Sequence, residues 1–169
     1  MGMRSHSCPL SAAVKNLSDY ITEMLKNMLV AGPVTHKIIA EYLSALSARK
    51  DSGGHSVFLG QVRADVVAGK TVKAIEYSAY ENMVTAEAAV IIETILARFG
   101  DVRSVDIVHS VGIVMAGEIS LFVLVSAGHR RQAIDACSKT VELIKEKLPV
   151  WKKEIFEDNS HEWKQPGLA

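Results

Sequence analysis

Five consecutive apolar residues, Leu121-Phe122-Val123-Leu124-Val125, constrain this chain more than any other stretch. Side chains on a strand point alternately to opposite sides, so an unbroken apolar run needs cover on both faces. The chain around it must supply that cover.

Read in order, residues 1 to about 13 mix Ser, His, Cys and Pro without periodicity and resemble a loose tail. Leu17, Tyr20, Ile21, Met24, Leu25 and Met28 recur at helical spacing, yet Met28 to Ala31 also fits the start of a short strand. Gly32-Pro33 breaks whatever precedes it, and Thr35 is placed to cap a helix with the stripe Ile38, Ile39, Tyr42, Leu43 and Leu46. After the loop Asp51-Ser52-Gly53-Gly54 the pattern turns to strand from His55 to Arg63. Gly60 within it implies a bulge or a close backbone approach. Ala68-Gly69-Lys70-Thr71 predicts the tip of a hairpin that returns through Val72 to Tyr80. A long helix over 82–99 should stop at Gly100, and two strands follow, Val102 to Val111 and Ile119 to Ser126. The last helix, from about His129 to Leu148, carries the stripe Ile134, Cys137, Val141, Ile144 and Leu148. Helix, hairpin, helix, hairpin, helix predicts an α+β fold with no domain boundary after residue 32.

The chain's 169 residues suit one domain with a real core. Its formal net charge of zero argues against a general nucleic-acid or membrane-surface binder, and no apolar run is long enough to span a bilayer. There is no signal-peptide pattern, Cys8 and Cys137 match no metal or redox spacing, and the expected compartment is the cytoplasm. His55, His109 and His161 are scattered and show no ligand spacing, so no metal site is read.

Against that neutral total, Lys145-Glu146-Lys147-Leu148-Pro149-Val150-Trp151-Lys152-Lys153-Glu154 places four lysines around an apolar centre. Pro149 should end the preceding helix, and Trp151 should bury its ring and pin the segment as a rigid ledge. Lysines held there suit an anionic substrate, and a partly desolvated one can do acid–base work; a solvated basic face would look the same in sequence. His129-Arg130-Arg131 opens a helix, where free N–H groups and two guanidinium groups favour phosphate or carboxylate, or where the charges are simply exposed. Arg63, at a strand end, can reach into a cleft or lie in solvent. Arg130 and Lys145 lie on one predicted helix, about 22 Å apart at its ordinary rise. Either there are two subsites, or the two ends meet across a symmetric dimer.

Phe58-Leu59-Gly60-Gln61-Val62-Arg63, Ala127-Gly128-His129-Arg130 and Leu143-Ile144-Lys145 through Glu154 together resemble the large, catalytic subunit of molybdopterin synthase. Ala74-Ile75-Glu76-Tyr77 with Tyr80, and His109-Ser110-Val111-Gly112, add to the likeness, which runs from about Met28 to Trp163. It implies an α/β-hammerhead fold with an additional small antiparallel sheet, homodimeric, over residues 28–169. Residues 1–27 are then an N-terminal extension, a tail plus a possible helix. The implied partner is a small ubiquitin-like sulfur-carrier subunit whose C-terminal Gly-Gly tail arrives as a thiocarboxylate. The implied substrate is cyclic pyranopterin monophosphate, which gains two sulfurs to form the molybdopterin dithiolene. Because the sulfur arrives with the partner, the enzyme needs no cysteine motif of its own; no cofactor is expected.

By position, the likeness makes Lys145 and Lys152 the catalytic lysines. Arg63, His129 and Arg130 become substrate contacts, with Gln61, Val62, Lys153 and Glu154 in the same binding segments and Phe58 and Trp151 in support. Gln61 stands where some members have lysine. Some also have an arginine shortly after the position of Trp163, where this chain offers only Lys164. The rival reading is a non-catalytic adaptor that docks a ubiquitin-like tail; the presence of the whole residue set favours the enzyme.

Overall fold

The computed structural model describes residues 17–164, so the expected tail with Cys8 and the stretch after Lys164 lie outside the described residues. Helix α1 (Leu17–Leu25), strand β1 (Leu29–Ala31) and helix α2 (His36–Ala45) open the chain. Both readings around Met28 hold in part: the helix stops at Leu25 and the strand begins at Leu29. Thr35 caps α2, its side chain accepting from the Ile38 N–H. Strands β2 (Gly54–Gln61), β3 (Val66–Val67) and β4 (Lys70–Ala79) precede helix α3 (Glu81–Arg98). Then come β5 (Val102–Met115), β6 (Ile119–Ala127), helix α4 (Arg130–Lys147), β7 (Val150–Phe156) and β8 (His161–Lys164).

The strands form one mixed sheet in the order β2-β6-β5-β4-β7-β8, with β1 parallel to β5 and β3 against β4. All other pairings are antiparallel. The 14-residue β5 changes partner along its length. Its first part runs beside β6 as far as His109↔Leu121, and its last part pairs Gly112–Met115 with Tyr77–Ala74. Gly112 sits at the change with φ +88°, a conformation that glycine adopts without a Cβ clash.

The apolar run of β6 has the double cover it requires, with Phe122, Val123, Leu124 and Val125 all fully buried. Val123 and Val125 join the large core formed with α1, α3 and α4, whereas Phe122 and Leu124 face Ile39 and Tyr42 of α2. The Tyr42 and Phe122 rings lie 5.4 Å apart. The helical part of the N-terminal extension belongs to this core, since Ile21 and Met24 of α1 are buried in it.

Several expectations are corrected. The hairpin tip exists, with Ala68 and Gly69 both at positive φ, but it joins only β3 to β4. β2 pairs instead with β6, from Gly54↔Ala127 to Gln61↔Ile119, because alternation in β2 specifies its faces and not its neighbour. β2 ends at Gln61, so Arg63 lies beyond the strand; the register does shift at Gly60, as its position implied. The ledge after Pro149 is a strand, β7, on the edge of β4. Its anchor is Val150, which is buried, while Trp151 is half-buried and meets Tyr80 edge-on at 5.8 Å. Leu43 and Ile134, each counted in an apolar stripe, are exposed. On α4 the buried line runs through Ala133, Ala136, Cys137 and Thr140, small side chains that let the helix lie close to the sheet.

Candidate functional site

Pro149 places the site. It disfavours helix at Leu148, whose ψ of 122° turns the chain from α4 into β7 within two residues. Lys145, on the last turn of α4, and Lys152, in β7, thereby line one cavity of about 900 Å³. Period-two geometry then sorts β7. Lys152 pairs with Tyr77 and Glu154 with Ile75 across the β4 ladder, and all four line the cavity. Lys153, one residue out of phase, points away from that set. It forms an ion pair with Glu76, its ladder partner, and its ammonium lies 5.3 Å from the Trp163 ring.

The remaining walls come from the end of β2 and from its neighbours. Phe58, Gln61, Val62 and Arg63 line the cavity, as does Lys164 of β8. The Lys145 ammonium stands 6.0 Å from the Phe58 ring, within range of a cation–π contact. Gly60 allows close packing here: a Cβ on it would come 3.1 Å from the Leu121 Cβ and 3.2 Å from the Phe58 ring. Arg63 is well exposed and bonds Asp65 at 2.9 Å. Lys164 lies 3.3 Å from Glu154 and 3.2 Å from Glu162, so it takes part in the wall at the end of the described residues.

Of the two lysines, Lys145 is exposed and Lys152 is the partly desolvated one. Burial, reinforced by the Lys145 charge and opposed by Glu154, lowers the Lys152 pKa from its ordinary value. A lysine so placed attracts an anion yet gives up its proton more readily than one in water.

His129 and Arg130 lie at the other end of α4 and do not reach this cavity. The anion expected at that helix start is supplied by the chain itself. Asp101 accepts from the His129 N–H at 2.7 Å, and its carboxylate meets the ring Nδ1 at 2.9 Å. These bonds hold the Asp101 carboxyl below the usual carboxylate range. Arg130 and Arg131 are exposed, the latter paired with Asp135. Gly54 lets this end of α4 press onto β2, since a Cβ there would lie 2.7 Å from the Arg130 Cα.

Three polar residues at the cavity floor escaped the reading of single residues: Tyr77, His109 and Ser120, each about 6% exposed. Tyr77 and His109 fell within the stretches that carry the family likeness, but nothing in their spacing announced that β4, β5 and β6 would bring them together. Among the described residues no group of three His, Cys, Asp or Glu side chains could hold a metal ion.

Comparison with known proteins gives this geometry a context. The family profile described as "MoaE protein" matches residues 34–147. The molybdopterin synthase catalytic subunit of Dictyostelium discoideum is 40% identical over 115 residues, covering 67% of this chain and 72% of that protein. The subunit of the same name from Drosophila grimshawi is 36% identical over 133 residues, 78% of this chain; the chain spans only 36% of that relative's length. Among solved structures, molybdopterin synthase from Staphylococcus aureus is similar with a TM-score of 0.73 and 30% identity, over 83% of this chain and 97% of that one. A complex of subunits 1 and 2 of molybdopterin-converting factor from Helicobacter pylori shares the fold, with a TM-score of 0.68 at 18% identity, over 81% of this chain and 88% of that one.

Proposed function

The chain belongs to the MoaE family of molybdopterin synthase catalytic subunits, and on that footing we propose that it transfers sulfur from a carrier protein to cyclic pyranopterin monophosphate. The observation that carries the reading is the convergence of Lys145, Lys152 and Arg63 on one cavity from a helix end, a strand and a loop. Such a cationic recess suits both an incoming thiocarboxylate and a phosphate ester.

In this scheme the C-terminal Gly-Gly thiocarboxylate of a small ubiquitin-like subunit enters beside Lys145, whose ammonium orients it. Each transfer forms one C–S bond on the pterin as a C–O bond at the same carbon breaks, its oxygen leaving with the phosphate or as water, and then breaks the carrier's C–S bond. The carrier leaves as a carboxylate once water supplies the oxygen. Lys152, with its lowered pKa, is suited to accept and return the proton that moves during transfer. Arg63 holds the phosphate, with Gln61, Val62 and Glu154 shaping the same wall. Two transfers complete the dithiolene.

His129 and Arg130, remote from this cavity within one chain, become substrate contacts if an α/β-hammerhead homodimer brings that end of α4 to the partner's cavity. With one carrier per protomer the assembly is a heterotetramer, working in the cytoplasm. Support for a carrier subunit comes from the two-subunit complex of the Helicobacter pylori relative.

Single-turnover transfer by Lys145 variants tests the scheme. Lys145→Ala should slow transfer by about a hundredfold or more while melting stays near wild type, because the side chain is exposed. Lys145→Arg keeps the charge but does not readily deprotonate, so substantial rescue would assign the residue a purely electrostatic role. A folded Lys145→Ala protein that transfers sulfur at the wild-type rate would remove this lysine from the mechanism.

A further inference from the structure

The cavity is two-sided in its chemistry. Lys145 and Arg63 are exposed at its mouth, whereas Tyr77, His109 and Ser120 are buried and form its floor. The protons of that floor are already committed. Tyr77 donates its hydroxyl to Ser120 Oγ at 3.1 Å, and Ser120 donates onward to the Gly60 carbonyl at 3.3 Å. The Nδ1 of His109 lies 2.8 Å from the Ser110 carbonyl oxygen. A carbonyl can only accept, so Nδ1 carries the hydrogen and Nε2 keeps a lone pair. No described residue donates to that Nε2.

What remains for an occupant is a set of acceptors: His109 Nε2 and the free lone pairs of Tyr77 Oη. The ring also stays neutral near pH 7, because burial, helped by the Lys152 charge, lowers its pKa to about 4. Both residues line the cavity, so these acceptors favour a ligand that presents N–H groups to them. The mouth, in contrast, favours negative charge.

We propose that His109 is a specificity-determining residue, its Nε2 accepting an N–H of the substrate's heterocycle while the cations at the mouth hold the phosphate. This rests on the reading of cyclic pyranopterin monophosphate as substrate, and a pterin carries both ring N–H and amino donors. A phosphate ester without such donors would fill the mouth and leave the floor unpaired. The Tyr77 hydroxyl, its own proton directed at Ser120, keeps lone pairs for a second donor, and its ring lies 5.2 Å from that of His109.

Two substitutions of His109 separate its nitrogens. Asparagine can keep the donor to the Ser110 carbonyl but offers nothing at the ε position, whereas glutamine reaches the ε position with an acceptor. Calorimetry on the full chain would use cyclic pyranopterin monophosphate and, separately, inorganic phosphate. His109→Asn should weaken the pterin by about tenfold and leave phosphate unchanged, with His109→Gln close to wild type. Tyr77→Phe should weaken the pterin by about threefold, again without effect on phosphate. Pterin affinity within about twofold of wild type in folded His109→Asn, or an equal loss for both ligands, overturns the proposal. Should His109→Asn fail to fold, His109→Phe, which also lacks the acceptor, takes its place, and unchanged pterin affinity in that variant overturns the proposal. A wild-type protein that binds phosphate but not the cyclic pterin would refute the proposed function itself, a result distinct from these.

Discussion

His109 shows how one buried ring ties the cavity to pH. An imidazole in the unfolded chain titrates near 6.5, while in the fold its pKa is about 4. Between those values the unfolded chain binds a proton that the folded chain refuses. The contribution of His109 to stability is therefore complete above about pH 6.5, falls as pH drops toward 4, and is constant below that. The span corresponds to about 3 kcal/mol. Urea unfolding between pH 7 and 4 should show wild type losing that much more stability than His109→Phe, which has a ring of similar shape and no titration. Parallel losses would contradict it. None of this was legible in the sequence, where His109 was one histidine among several. The lysines were legible as a cluster, but which of them is desolvated depends on the alternation of β7, a strand the sequence reading missed. The same alternation takes Lys153 out of the cavity and leaves Glu154 in it.

Among the secondary-structure elements, the helices were readable because capping and periodicity are local. Thr35 and Pro149 mark their boundaries by direct chemistry, a hydrogen bond and a missing N–H. The β5–β6 hairpin was readable because its strands are close in sequence, but the partners of β2 and β7 were not, since that pairing is decided by distant residues. The link from the segment after α2 to the sheet is a case in point. Arg49, just after a 3-10 turn over Leu46–Ala48, reaches Asp106 of β5 at 2.9 Å and Ser126 of β6 at 2.6 Å, with a further contact to Ser104. Both ionic side chains are almost fully buried, and Asp106 is pushed up by that burial despite the guanidinium beside it. Removing the cation leaves an uncompensated buried carboxyl, so Arg49→Met should cost about 3–5 kcal/mol by denaturant unfolding. Arg49→Met combined with Asp106→Leu should recover much of this, because the orphaned charge goes too. If the double variant is no more stable than the single one, the pair is not what joins this segment to β5 and β6.

For the whole molecule, the decisive distance is the length of α4. Lys145 lines the cavity at one end, and His129 and Arg130 stand at the other beside Asp101 and Gly54. The sequence already showed that separation, and the fold keeps it. A shared site across a symmetric pair is the arrangement that uses both ends, so the isolated protein should sediment as a dimer in dilute solution. Arg130→Ala should then weaken cyclic pterin binding while leaving carrier docking nearly unchanged; a strict monomer that is fully active with its carrier would rule the arrangement out.

If sulfur moves in this cavity, the sulfur itself can be followed. The full chain would be mixed with a thiocarboxylated carrier and cyclic pyranopterin monophosphate, and both products would be weighed by mass spectrometry. The carrier should return as its carboxylate and the pterin should gain two sulfurs, only when all three components are present. A folded protein that docks the carrier, binds the pterin and leaves the thiocarboxylate intact would contradict it, and would mark the chain as an adaptor.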